Sequence, residues 1–77
     1  MSMFSRRHYL EVADTIGLTL RQLDRDDSKP HDRYIGVMAV HALTDNLVTT
    51  FKKDSGRFKE DVFNTRIGLI RREGLQS

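Results

Sequence analysis

Catalysis or metal binding by this chain would need histidines, serines or clustered carboxylates in a suitable arrangement. The three histidines, His8, His31 and His41, share no i, i+4 or H-E-x-x-H spacing, and no carboxylate stands beside them at ligand spacing. His41 lies in an apolar stretch, which predicts a packed or hydrogen-bonded core residue. We therefore expect no metal site.

The serines, glycines and acidic residues add no catalytic motif. The serines lie at predicted caps and turns, and the five glycines form no phosphate-binding loop. Four aspartates, Asp24, Asp26, Asp27 and Asp32, stand close together. The segment lacks the glycine and the closing glutamate of a calcium loop, which predicts a solvated turn. We expect no enzymatic activity, no catalytic residues and no cofactor.

Basic residues are concentrated in the carboxy-terminal part. The chain has 13 basic and 11 acidic residues and a net charge of +2. From residue 51 onward seven basic residues face four acidic ones, whereas residues 1–50 have a net charge of −1. Clustered Lys and Arg side chains bind the phosphates of nucleic acids. The same composition is also typical of a helix face exposed to solvent. The candidate nucleic-acid contacts are Arg57, Lys59, Asn64, Arg66 and Arg71.

The length of 77 residues predicts a single domain, residues 1–77, with a thin core. There is no cysteine, so neither a disulfide nor a thiolate metal site supplements that core. We expect stability to come from apolar packing or from a second copy of the chain. No stretch approaches the roughly 20 apolar residues of a membrane span, which predicts a protein of the host cytoplasm that does not enter the membrane.

Apolar positions at helical spacing predict helix 1, ending near Asp24. Ser5 is a good N-cap, and Phe4 and Tyr9 then take the positions of a hydrophobic staple. Gly17 interrupts the pattern, which indicates a close helix contact there. The inward stripe is Tyr9, Val12, Ile16, Leu20 and Leu23.

Helix 2 is predicted from Asp32 to Lys53, after a turn that ends in Pro30. Its first half is apolar almost all round, which indicates that it is covered on more than one side, as the spine of the fold or at a dimer seam. In its second half the predicted inward stripe is Val40, Leu43, Leu47 and Phe51. The residues predicted to contact a partner or a second copy are Tyr34, Ile35, Met38, Val40 and Ala42.

Helix 3 is predicted to begin after Lys59. Phe58 and Phe63 then form a second staple, and Gly74 suits the position after the helix end. The sequence thus predicts an all-α fold, a compact three-helix domain with two long helices in a hairpin and a shorter carboxy-terminal helix.

Two motifs resemble a known family. The sequence reads R-R-H-Y-x-x-V-A from Arg6 and L-x-x-x-F-x-x-D-x-x-R-F-x-x-x-x-F from Leu47. These are similar to small uncharacterised proteins of actinobacteria, their prophages and mycobacteriophages, which commonly read R-K-x-Y-x-x-I-A early and D-N-P-R-F-x-x-x-x-F late. The chain departs from them with Ser55-Gly56 in place of N-P, and it lacks the cysteine of some relatives. The resemblance implies an accessory protein of a phage or mobile element and implies no catalytic residue.

Two functions from different classes follow. The first is a non-enzymatic interaction module, a homodimer that binds and modulates a host or phage protein. It is indicated because helix 2 has more apolar surface than the rest of so small a chain can bury. The second is DNA binding through a helix-turn-helix of helix 2, the turn at Gly56 and helix 3. Lys52 and Arg57 fit that motif poorly, since they take positions that favour a small and an apolar residue.

Overall fold

The computed structural model describes residues 5–25 and 29–74 and confirms an all-α fold of three helices. They are α1 (Arg6–Arg25), α2 (Pro30–Asp54) and α3 (Glu60–Glu73). Helix α2 begins two residues before its predicted start, because Pro30 opens the helix at a position where its missing N–H costs no hydrogen bond. Residues 26–28, and with them part of the predicted acidic turn, lie outside the described residues.

The start of α1 confirms Ser5 as its N-cap. The His8 N–H donates to Ser5 Oγ at 3.4 Å, and the Ser5 N–H donates in return to His8 Nδ1 at 3.0 Å. This reciprocal pair is a capping box with histidine in the place usually held by glutamate. The predicted staple between Phe4 and Tyr9 lies outside the described residues, because these begin at Ser5.

The main packing of the domain is between α1 and α3, which meet at Gly17. A Cβ atom at residue 17 would lie 2.6 Å from Ile70 Cβ and 2.9 Å from the Ile67 carbonyl oxygen. The predicted close helix contact at Gly17 is therefore confirmed, and its partner is α3. The buried residues of these two helices are Tyr9, Ala13, Ile16, Gly17, Leu20, Phe63, Ile67 and Ile70.

Helix α2 contributes buried residues only from Thr44 onward, while Val37 and Val40 are partly buried against the core. The prediction that α2 is the spine is wrong. The buried residues of α2 are Thr44, Val48 and Phe51. α1 holds the central position, because both other helices pack against it. α1 and α2 form the predicted antiparallel hairpin: Tyr9 lies beside Phe51 at one end, and Leu23 lies against Gly36 at the other.

Two predictions on the faces of α2 are corrected by the structure. Leu43, placed in the inward stripe, is 56% exposed, and Thr44 and Val48 face the core instead. A threonine is tolerated there because its hydroxyl donates to the Val40 carbonyl oxygen at 2.8 Å, so no polar group is left without a partner. His41, predicted to be a core residue, is exposed.

Four aromatic rings fasten the turn between α2 and α3. Phe58 and Phe63 lie 5.5 Å apart between ring centroids, which confirms the predicted staple. Among the described residues, Phe51 and Tyr9 also belong to the cluster, with neighbouring rings 4.9 to 5.7 Å apart and tilted or edge-on, as aromatic pairs prefer. Lys59 precedes α3 without a capping side-chain hydrogen bond, so this packing holds the turn.

The contact at Gly17 predicts opposite effects for alanine at two helical glycines. Gly17→Ala should lower the free energy of unfolding by about 1–2 kcal/mol, because the overpacking against Ile70 and a backbone oxygen exceeds the gain in helix propensity. Gly68→Ala is the matched control, since nothing lies within 4 Å of the added Cβ. It should stabilise the protein by up to about 1 kcal/mol.

Urea unfolding followed by circular dichroism measures both variants. Stabilisation of the protein by Gly17→Ala would show that α1 and α3 do not approach this closely.

Candidate functional site

The amino-terminal half of α2 exposes large apolar side chains. Tyr34 is 63% exposed, Ile35 53% and Met38 50%. Ile35, Met38 and Ala42 follow one another at three- and four-residue spacing, so they share one face of the helix. We call Tyr34, Ile35, Met38 and Ala42 the α2 surface. Four of the five predicted interface residues thus lie together on the outside of the molecule.

Val40, the fifth predicted interface residue, lies on a different side of α2. It is half-buried and packs against the core, in line with Thr44 and Val48. The core contacts of α2 therefore explain why Val40 is apolar, whereas they do not explain Tyr34 or Met38. Sequence periodicity could not separate the two sides, because apolar residues surround this half of the helix.

The α2 surface lies in a segment without charge. From Tyr34 to Thr44 there is no Asp, Glu, Lys or Arg. Burying this segment against another protein would remove no ionised group from water, and depletion of charge is the compositional mark of interface cores. Its exposure and its composition both suit a contact surface.

Two of the predicted nucleic-acid residues are engaged in ion pairs with α1. Arg66 donates from Nε and Nη2 to the two carboxylate oxygens of Asp14, at 2.5 and 3.3 Å. Arg71 donates in the same two-pronged way to Asp24, at 2.8 and 2.9 Å. These hydrogen bonds raise the pKa of both arginines and lower that of Asp24. Their charges are balanced within the domain.

The remaining predicted nucleic-acid residues are exposed. Arg57 and Lys59 are exposed in the turn before α3, and Asn64 is exposed on α3 itself. Glu60, at the start of α3, accepts from Lys52 at 2.6 Å. A reading helix would thus lead with acidic residues and hold its two arginines against α1, an arrangement that does not favour DNA binding.

A cavity of about 500 Å³ opens beside the aromatic cluster. Leu10, Phe58 and Val62 supply apolar walls above the buried rings of Tyr9 and Phe63. The rest of the lining is polar or charged: Arg6, Ser55, Arg57 and Lys59. Sequence reasoning missed this site because its walls come from separate segments. The signal available in the sequence was that basic residues flank an aromatic residue in both segments, Arg6 to Tyr9 and Arg57 to Lys59.

No other arrangement of chemical groups stands out in residues 5–25 and 29–74. In that part of the chain no three His, Asp or Glu side chains come together as metal ligands would. None of the helices described there is long and apolar enough to cross a membrane.

Comparison of the chain with protein-family models, with curated proteins and with solved structures finds no match.

The Asp24–Arg71 pair predicts a specific pH dependence of stability. Arg71 lowers the pKa of Asp24 in the folded protein below its ordinary value of 3.8. The carboxylate therefore stabilises the fold above about pH 4, and this contribution is lost as the pH falls through the lower folded-state pKa. Asp24→Asn should lower the free energy of unfolding by about 0.5–1 kcal/mol at neutral pH, since a half-exposed pair is screened by water.

Urea unfolding at neutral pH and near pH 2 tests this dependence. At the acidic pH the variant and the original protein should be equally stable. Asp45→Asn is the control, because Asp45 is exposed and no ion pair joins it to another described residue. An equal loss for Asp24→Asn at both pH values would show that the charge of Asp24 does not stabilise the fold.

Proposed function

We propose that this protein is a non-enzymatic interaction module that forms a homodimer through the α2 surface and binds and modulates a host or phage protein. The observation that supports it most is the exposure of Tyr34, Ile35 and Met38 in a segment free of charge, on the side of α2 away from the core. Contiguous exposed apolar surface on a small protein marks an interaction site.

A second copy of the chain is the first occupant that this surface suits. A two-fold contact places the same patch on both sides, so an uncharged helix face meets an identical uncharged face without a repelled or unpaired charge. Ala39 and Ala42 are small and exposed, which allows two α2 helices to approach closely between the larger side chains of Ile35 and Met38. Pairing would also add apolar burial to a domain whose own core is thin.

A phage or mobile element is the proposed setting, and it rests on the resemblance of the two sequence motifs alone. In that setting the partner is a protein of the host or of the phage, and the module acts in the host cytoplasm by occupying a surface of that partner.

The proposal predicts that a charge at Met38 prevents self-association. Met38→Glu should weaken the dimer at least about tenfold, because an unpaired carboxylate would be buried in an apolar contact. Thr50→Glu is the matched control: it places the same charge at an exposed position of α2 outside the α2 surface, and it should leave association unchanged. Val40→Glu is unsuitable, since Val40 packs on the core.

Sedimentation velocity over a range of protein concentrations measures the association, with circular dichroism as the check on folding. A protein that stays monomeric at high concentration would contradict the homodimer. A Met38→Glu variant that still dimerises would contradict the α2 surface as the interface.

Capture from a host lysate treated with nuclease tests the wider partner. One protein should be retained by the original chain and by Thr50→Glu, and lost with Met38→Glu. Retention that disappears on nuclease treatment, or binding of duplex DNA that falls steeply with salt, would favour nucleic acid instead.

A further inference from the structure

The cavity beside the aromatic cluster has the composition of a small-ligand site. Its volume of about 500 Å³ lies within the range of about 300–1,000 Å³ that ligand pockets occupy. Its walls are mainly aromatic and aliphatic, and its polar groups are few. These features are independent of the α2 surface, because no residue of α2 lines the cavity.

Three cations surround this cavity: Arg6 from the start of α1, and Arg57 and Lys59 from the turn before α3. All three are exposed, and none of them forms an ion pair with another residue in the described part of the chain. The neighbouring Glu60 is paired with Lys52, and Asp54 accepts a hydrogen bond from the Tyr9 hydroxyl at 3.1 Å. Among the described residues no carboxylate lines the cavity, so the net positive charge of its lining favours an anionic ligand.

An apolar wall continues along α3. A second hollow, of about 350 Å³, shares Leu10 and Val62 with the cavity and extends between α1 and α3 to Leu69; Asp61, Thr65 and Arg66 also line it. The two hollows together form a groove with Arg6, Arg57 and Lys59 at one end, and Leu10, Val62 and Leu69 provide an apolar path along it. A linear molecule with an anionic head and an apolar tail matches both its charge and its shape.

We propose that this groove binds a single-chain alkyl carboxylate, with the carboxylate at Arg6, Arg57 and Lys59 and the chain running past Val62 towards Leu69. Charge-assisted hydrogen bonds from guanidinium and ammonium groups fix the head. Burial of the chain provides most of the binding free energy. A bound peptide fits less well, because side chains line the groove and no open strand edge offers hydrogen bonds to a peptide backbone.

Titration of the full-length protein with decanoate, below the concentration at which it forms micelles, tests the proposal. The amide resonances of Leu10, Phe58 and Val62 should shift in heteronuclear NMR spectra and saturate. Decyltrimethylammonium, with the same tail and a positive head, should not bind the groove. Affinity should rise about fourfold for each methylene added from hexanoate to decanoate, as expected for burial of an alkyl chain.

Matched variants separate the head contacts from general charge. Arg57→Gln combined with Lys59→Gln should weaken decanoate binding about tenfold or more, because two of the three head contacts are lost. Lys53→Gln combined with Arg72→Gln removes the same charge at exposed positions outside the groove and should change affinity less than about twofold, as expected for screened surface charges.

A further pair of variants tests the apolar wall. Val62 is 39% exposed, so substitution there should leave the fold intact. Val62→Asp should abolish binding, whereas Val62→Asn, of similar size and without charge, should weaken it only moderately.

Three results would overturn the proposal: no saturable shift with decanoate, equal binding of the cationic analogue, or equal effects of the two glutamine pairs. Binding of decanoate that occurs only in a Phe4→Ser variant would also overturn it. Phe4 precedes the described part of the chain, and this result would identify the chain's own amino terminus as the occupant. Dimerisation of the Val62→Asp variant distinguishes failure of this site from failure of the α2 surface.

Discussion

The close approach of α1 and α3 at Gly17 is the contact on which the other interactions of the domain depend. With a hydrogen atom in place of a side chain at Gly17, the backbone of α1 lies directly against Ile67 and Ile70. At that separation Arg66 reaches Asp14, and Arg71 reaches Asp24. Arg21 of α1 donates to the carbonyl oxygens of Arg71 and Arg72 in the last turn of α3, where carbonyl oxygens lack partners within the helix.

This arrangement leaves α2 with a partial role in the core. α1 gives its most closely packed face to α3, so only the carboxy-terminal half of α2 finds a buried position, through Thr44, Val48 and Phe51. The other half packs Val37 and Val40 partly buried against the core and Gly36 beside Leu23, and it exposes Tyr34, Ile35 and Met38. A half-helix without buried residues opens more easily than the core, and binding of a partner to its exposed side would stabilise it by mass action.

The sequence predicted the features that depend on local spacing and missed those that depend on distant residues. The α1 stripe, the Ser5 cap and the Phe58–Phe63 staple follow from neighbours along the chain, and all were found. The inward side of α2 was misplaced at Leu43, because apolar residues on every side of a helix leave its rotation undetermined until its partner is known. Arg66 and Arg71 were interpreted as outward contacts, since no periodic pattern reveals an aspartate some 50 residues away in the chain.

The candidate surfaces divide in the same way. The α2 surface lies on a single helix, so all its residues could be named from the sequence. The sequence also added Val40, which packs on the core instead. The cavity is assembled from the start of α1, the turn at Ser55 to Lys59 and α3, which only the folded chain brings together. Helix α1 lines the cavity with Arg6, Tyr9 and Leu10, and it also contacts both ends of α2, at Phe51 through Tyr9 and at Gly36 through Leu23. Energetic coupling between a ligand in the cavity and a partner on α2 would therefore pass through the packing between α1 and α2, which includes the contact of Phe51 with Tyr9.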